Sequence, residues 1–84
     1  GTPPAMTTTI QQKLVDGLLA QGWVEGRQTA HYRTFTHPTQ PGKFFAGKAG
    51  ALRFAKDGLV GHCVLVSSRI RDRILSAPLA ALGL

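Results

Sequence analysis

His31, Arg33 and His37 fall on alternate positions of one short segment, so an extended chain there would carry two imidazoles and a guanidinium on a single face. Metal-free RNA cleavage asks for a histidine general base and cations around a phosphate, which that face could supply. An ordinary solvent-facing polar strand has the same pattern. Other chemistries fare worse. Adjacent His62 and Cys63 would point to opposite sides of a strand, and no Cys-x-x-Cys or His-x-x-x-His pair exists, so no metal is expected. Gly42 to Ala49 approaches a phosphate-binding loop, but Ala49 stands where a Ser or Thr hydroxyl must bind Mg²⁺. Phe44 and Phe45 also suggest a strand where a helix is required. The few acids offer neither a catalytic triad nor the paired carboxylates of glycoside chemistry. No cofactor is expected.

Charge is the stronger signal. Ten Lys and Arg oppose four Asp and Glu, a formal net charge of +6 in 84 residues. Between Glu25 and Asp57 there is no acid, yet Arg27, Arg33, Lys43, Lys48, Arg53 and Lys56 lie there. Such a one-sign field attracts polyanions, and nucleic acid, RNA or DNA, is the leading expectation. An acidic protein partner is the other. Arg69 and Arg73 would add a cationic helix face. Tyr32, Phe35, Phe44, Phe45 and Phe54 sit among these cations, either as stacking platforms for bases or as the core of a small domain.

The elements that must position these groups follow from spacing. Thr9 with Gln12 fits a capping box, and Ile10, Leu14 and Leu18, flanked by Val15 and Leu19, form an apolar stripe at helical period. Gly17 interrupts that helix and suggests close packing; Gly22 ends it, with Trp23 as a core anchor. Strands are predicted over Trp23 to Arg27, His31 to His37, Lys43 to Lys48 and Ala51 to Ala55, the last with Leu52 and Phe54 inward and Arg53 outward. Lys56-Asp57-Gly58 predicts a hairpin turn. The apolar run Leu59 to Val66 predicts a buried central strand. Ser67 or Ser68 caps a second helix over Arg69 to Leu75, with Ile70 and Ile74 inward, before Pro78 opens a last short turn.

The fold class is therefore α+β, with an antiparallel sheet of three to five strands and an N-terminal and a C-terminal helix on one face (α-β-β-β(-β)-α). Residues 6–84 form one domain; Gly1 to Ala5 reads as a vector remnant ahead of Met6. No signal peptide or membrane span is visible and Cys63 is single, so a cytoplasmic location is expected. The apolar tail, with Leu79, Leu82 and Leu84, suggests self-association.

Leu14 to Pro41 also resembles the HicA-like toxins. The resemblance is carried by the leading amphipathic helix, Gly22-Trp23, His31, Phe35, His37-Pro38 and Pro41-Gly42, and Ile70 to Leu84 echoes the family's ending. It implies a double-stranded-RNA-binding-type fold, metal-free mRNA cleavage with His31 as catalytic base, and an antitoxin partner. Thr29-Ala30 replaces the family's Gly-Ser, the step from His31 to His37 is one residue longer, and the hairpin within Gly47 to Gly58 is extra.

Overall fold

The structure is a computed structural model that describes residues 9–83. The segment 1–5 and Leu84, for which a remnant and an association role are expected, lie outside the described residues. Helix α1 (Ile10–Ala20) is followed by strands β1 (Val24–Gln28), β2 (Tyr32–Thr36), β3 (Lys43–Gly47) and β4 (Leu52–Ala55). A single 3₁₀ turn (Val60–His62), strand β5 (Val64–Leu65) and helix α2 (Ser68–Ala81) complete the chain. The five strands form one antiparallel sheet in sequence order. Among the described residues no helix is long and apolar enough to cross a membrane.

Helix α1 starts and stops where its sequence says. Thr9 Oγ1 accepts the Gln12 amide at 3.1 Å, while the Gln12 side chain turns away to Arg33 and Asp16. At the other end Gly22 takes φ of 93°, the Trp23 N–H reaches the Leu18 carbonyl and the Gly22 N–H reaches that of Leu19. This pair of bonds satisfies carbonyls that the helix end would otherwise leave open. The turn throws Trp23 into the core, where its ring meets Phe44 edge-on at 4.7 Å.

Strand register sorts the side chains. Phe35, Phe44 and Phe54 align in one cross-strand row, and Arg33, Ala46 and Leu52 in the next, on the side the helices cover. Leu14, Val15 and Leu18 of α1 and Ile74 of α2 close the core over these rows. Each such apolar side chain contributes about 1.5–3 kcal/mol by leaving water. The other side of the sheet carries Thr34, Phe45 and Arg53 in one row, with Thr36, Lys43 and Ala55 beside it. No described helix covers that side.

Three elements depart from expectation. Leu59 to Val66 is not a buried central strand: it forms a 3₁₀ turn and a two-residue edge strand, and Leu59, Val60, Val64 and Leu65 are all more than half exposed. Periodicity does not separate a central strand from an apolar edge. The Lys56-Asp57-Gly58 turn forms, with the Gly58 N–H on the Ala55 carbonyl, but it feeds the 3₁₀ turn rather than a tight two-residue hairpin. Helix α2 does not stop at Leu75; it runs through Pro78 to Ala81. A proline inside a helix removes its own N–H, here the one that would bond the Ile74 carbonyl. That carbonyl instead faces Gly17 of α1.

Candidate nucleic-acid interface

The open side of the sheet gathers part of the expected basic set. β3 and β4 put Lys43 and Arg53 on it as diagonal neighbours, since Phe45 pairs with Arg53 and Lys43 with Ala55. Arg27 joins from β1. Its strand holds two residues, Gly26 and Arg27, opposite the single Thr34 of β2, a bulge in which the Thr34 hydroxyl donates to the Arg27 carbonyl. Bulges of this kind re-aim a side chain near a sheet edge. Lys48, in the turn after β3, and Lys56, in the turn after β4, are exposed at opposite ends of the β3–β4 pair. A strand rise of about 3.4 Å per residue makes that stripe roughly 15–20 Å long. None of the four acids lies on the strands of that face: Asp16 and Asp72 are on the helices, Glu25 is on the helix side of the sheet, and Asp57, next to Lys56 in its turn, bonds the His62 ring at 2.5 Å.

Arg33 is diverted from this set. On the helix side its guanidinium grips Glu25 through two bonds of 2.6 and 2.7 Å, and a third reaches Gln12 at 3.1 Å. The hydrogen bond from Arg33 holds the Glu25 carboxyl below its ordinary value, and the same bond raises Arg33. Both partners are about a quarter exposed, so the pair is a structural clamp of β1, β2 and α1. Arg69 and Arg73 are exposed on α2, in the helix layer, and do not extend the open face.

The aromatics sort against base stacking. Phe35, Phe44 and Phe45 are buried. Phe45 points to the open side, but Tyr32 stands edge-on to it at 6.3 Å and only 3% of it is exposed. Tyr32, half-buried, is the one ring of the set that both faces the open side and reaches solvent. Phe54 is on the helix side.

His31, Arg33 and His37 are not assembled into one site. His31 is exposed at the bend between β1 and β2, where it lines a shallow depression of about 280 Å³ with Tyr32 and Lys48. His37 packs edge-on against Trp23 at 5.1 Å, and its Nδ1 faces the Thr39 N–H. Gly42 to Ala49 is strand β3 and a turn into β4, without the helix a phosphate loop requires. Among the described residues no three His, Cys, Asp or Glu side chains come together as metal ligands.

Sequence reasoning missed one feature. On the helix side, beyond the reach of α1, an apolar groove of about 510 Å³ runs along β5, with Trp23, Phe44, Phe54, Val64 and Ile70 in its walls. The uncharged run Leu59 to Val66 was the signal that could have revealed it. Comparison of the chain with protein-family models, with curated proteins and with solved structures finds no match.

Proposed function

We propose that this domain binds nucleic acid through the open side of its sheet, chiefly by phosphate contacts and with little sequence specificity. The observation that carries the reading is the acid-free strand face on which Arg27, Lys43 and Arg53 lie, with Tyr32 and Lys48 towards one end and Lys56 at the other. Phosphate contacts from Lys and Arg give affinity without reading bases. Only Tyr32 could stack on a base, which adds at most about 1–3 kcal/mol. Arg33 takes no part, because Glu25 already neutralises it.

Five phosphate contacts would give a log–log salt slope of about −3.5 on a single strand and about −4.5 on a duplex. Fluorescence anisotropy with a labelled RNA and a labelled DNA of mixed sequence, between 50 and 200 mM salt, measures it. Absence of binding to both at low salt would refute the proposal.

A further inference from the structure

The two edges of the sheet are built differently. β1 carries Glu25 and Arg27 and is bent by a bulge, and charges and bulges are the devices that stop an edge strand from pairing with another chain. β5 has neither. From Leu59 to Val66 there is no charged residue, and the ten side chains that line the groove beside it include none.

Backbone geometry shows what this edge offers. The Val66 N–H donates to the Leu52 carbonyl at 2.9 Å, and Val64 and Leu65 pair with Phe54 and Arg53. In an antiparallel ladder alternate residues point their polar groups to opposite sides. Leu65 therefore directs both its N–H and its C=O away from β4, to the free edge. A strand whose central residue presents both groups can pair with a copy of itself about a two-fold axis, each Leu65 exchanging two hydrogen bonds with the other. Val64 would then lie opposite Val66 of the second copy on the helix side, beside the groove.

We propose that the chain forms a two-fold dimer by antiparallel pairing of β5 with β5 of a second copy, giving a continuous ten-stranded sheet. The edge's own make-up selects this occupant. Leu59 to Val66 carries no Lys, Arg, Asp or Glu, so two copies of the strand pair without like charges side by side on it, and the nearest cations, Arg53 opposite Leu65 and Arg71 beside Leu65 and Val66, stay one strand or one helix back. Leu59, Val60, Val64 and Leu65 are 56–65% exposed and Ile70 is 46% exposed. Exposed apolar side chains gathered on one strand and the turn before it are the kind of surface that gains by pairing. The edge differs from the α2 tail, where Leu79 and Leu82 are exposed with no free strand beside them and the depression next to Pro78 is lined in part by the charged Lys13 and Asp16. The inference does not depend on nucleic-acid binding. If both hold, the dimer joins two open faces into one longer cationic surface.

Sedimentation equilibrium of the full chain without nucleic acid tests the proposal, together with Leu65→Pro, Leu65→Lys and the double variant Leu79→Ser/Leu82→Ser. Proline deletes the outward N–H while leaving every bond to β4 intact, a substitution an edge strand tolerates. Circular dichroism checks that each variant is folded; Leu65→Lys serves if the proline variant is not. The expected result is twice the chain mass for the parent and for the tail variant, and a single-chain mass for the Leu65 variants. A parent that stays monomeric at several hundred micromolar overturns the proposal. So does a dimer that survives folded Leu65 variants, or one lost only in the tail variant. Separately, anisotropy titration of a folded monomeric Leu65 variant reports on nucleic-acid binding alone, so failure of one reading leaves the other distinguishable.

Discussion

Replacing Gly17 by alanine sets two calculable effects against each other. In an isolated helix the change is favourable by about 1 kcal/mol, since glycine is the poorer helix former. In this fold a Cβ at position 17 would lie 1.9 Å from the Ile74 carbonyl oxygen, 2.7 Å from its carbon and 2.8 Å from Cγ2. The obstacle is backbone, so no rotamer relieves it. Reaching an ordinary carbon–oxygen contact of about 3.4 Å requires the two helices to part by about 1.5 Å there. A gap of 0.5–1 Å already forfeits about a quarter to a half of a dispersion contact, and Leu14, Leu18, Ile74 and Leu75 all sit at or beside this crossing. Overpacking costs about 1–3 kcal/mol and occasionally more, and because main chain must move here the cost is at or just above the upper end, about 3–4 kcal/mol against the gain of about 1. The net expectation is a loss of about 2–3 kcal/mol from a total that for this size is about 4–12 kcal/mol. At about 4–8 °C per kcal/mol, Tm falls by about 10–20 °C. Thermal unfolding followed by circular dichroism measures it, with Gly61→Ala, where a Cβ meets nothing within 4 Å, as the control that stays near the parent. A Gly17→Ala protein with an unchanged or higher Tm would refute the packing argument.

Pro78→Ala acts on the same carbonyl with the opposite sign: it returns an N–H to Ile74 and removes a residue worth up to about 3 kcal/mol against a helix. Tm should therefore rise, and a fall would show that α2 depends on its proline. The Glu25–Arg33 clamp predicts an acid limb. Glu25 titrates below its ordinary value of 4.5 because Arg33 bonds its charged form, so its stabilisation is complete above that value and is lost as pH falls through the lowered one. Urea midpoints from pH 7 to pH 2 should drop less steeply in Glu25→Gln than in the parent; parallel profiles would count against the clamp. Arg53→Gln should weaken binding to all sequences alike and reduce the salt slope by about 1, whereas Arg33→Gln should leave the slope unchanged, and equal effects would contradict the sorting of the two faces. Labelled RNA incubated with the chain and a chelator should stay intact. Cleavage that disappears in His31→Ala would replace the binding reading with that of a metal-free ribonuclease.

Much of the fold was legible where local chemistry decides it. Thr9, Gly22 and Ser67 mark helix ends because their side chains or backbone freedom satisfy groups that water would otherwise have to reach. The alternation of Leu52, Arg53 and Phe54 marks the faces of β4 because a strand has a period of two. Pro78 misled: its lost hydrogen bond signals a helix end only if the freed carbonyl has nothing else beside it. Gly17 comes up against that carbonyl from another helix, fifty-seven positions before Ile74 in the chain.

The basic segment was half legible for the same reason. Its lack of acid between Glu25 and Asp57 is a fact of the line, but Glu25 comes to Arg33 across a hairpin, and that contact removes one of six cations from the surface. Alternation assigns Arg33 and Arg53 to faces of their own strands without saying which face the helices will cover; the register with Phe35, Phe44 and Leu52 decides it. The apolar run Leu59 to Val66 shows the limit most clearly. Hydrophobicity marks it as a surface that gains by leaving water, and one chain of this length does not bury it. If the β5 edge pairs with its copy, the sequence stated the need for burial correctly and only the partner was missing. A monomer would mean that an uncharged, unpaired edge is tolerated beside a domain carrying +6, with net charge alone keeping the molecules apart. The two cases separate at low salt, where only the β5-paired chain is already dimeric. Screening leaves a β5-paired dimer intact or tightens it, whereas a charge-protected monomer begins to associate only as salt is raised.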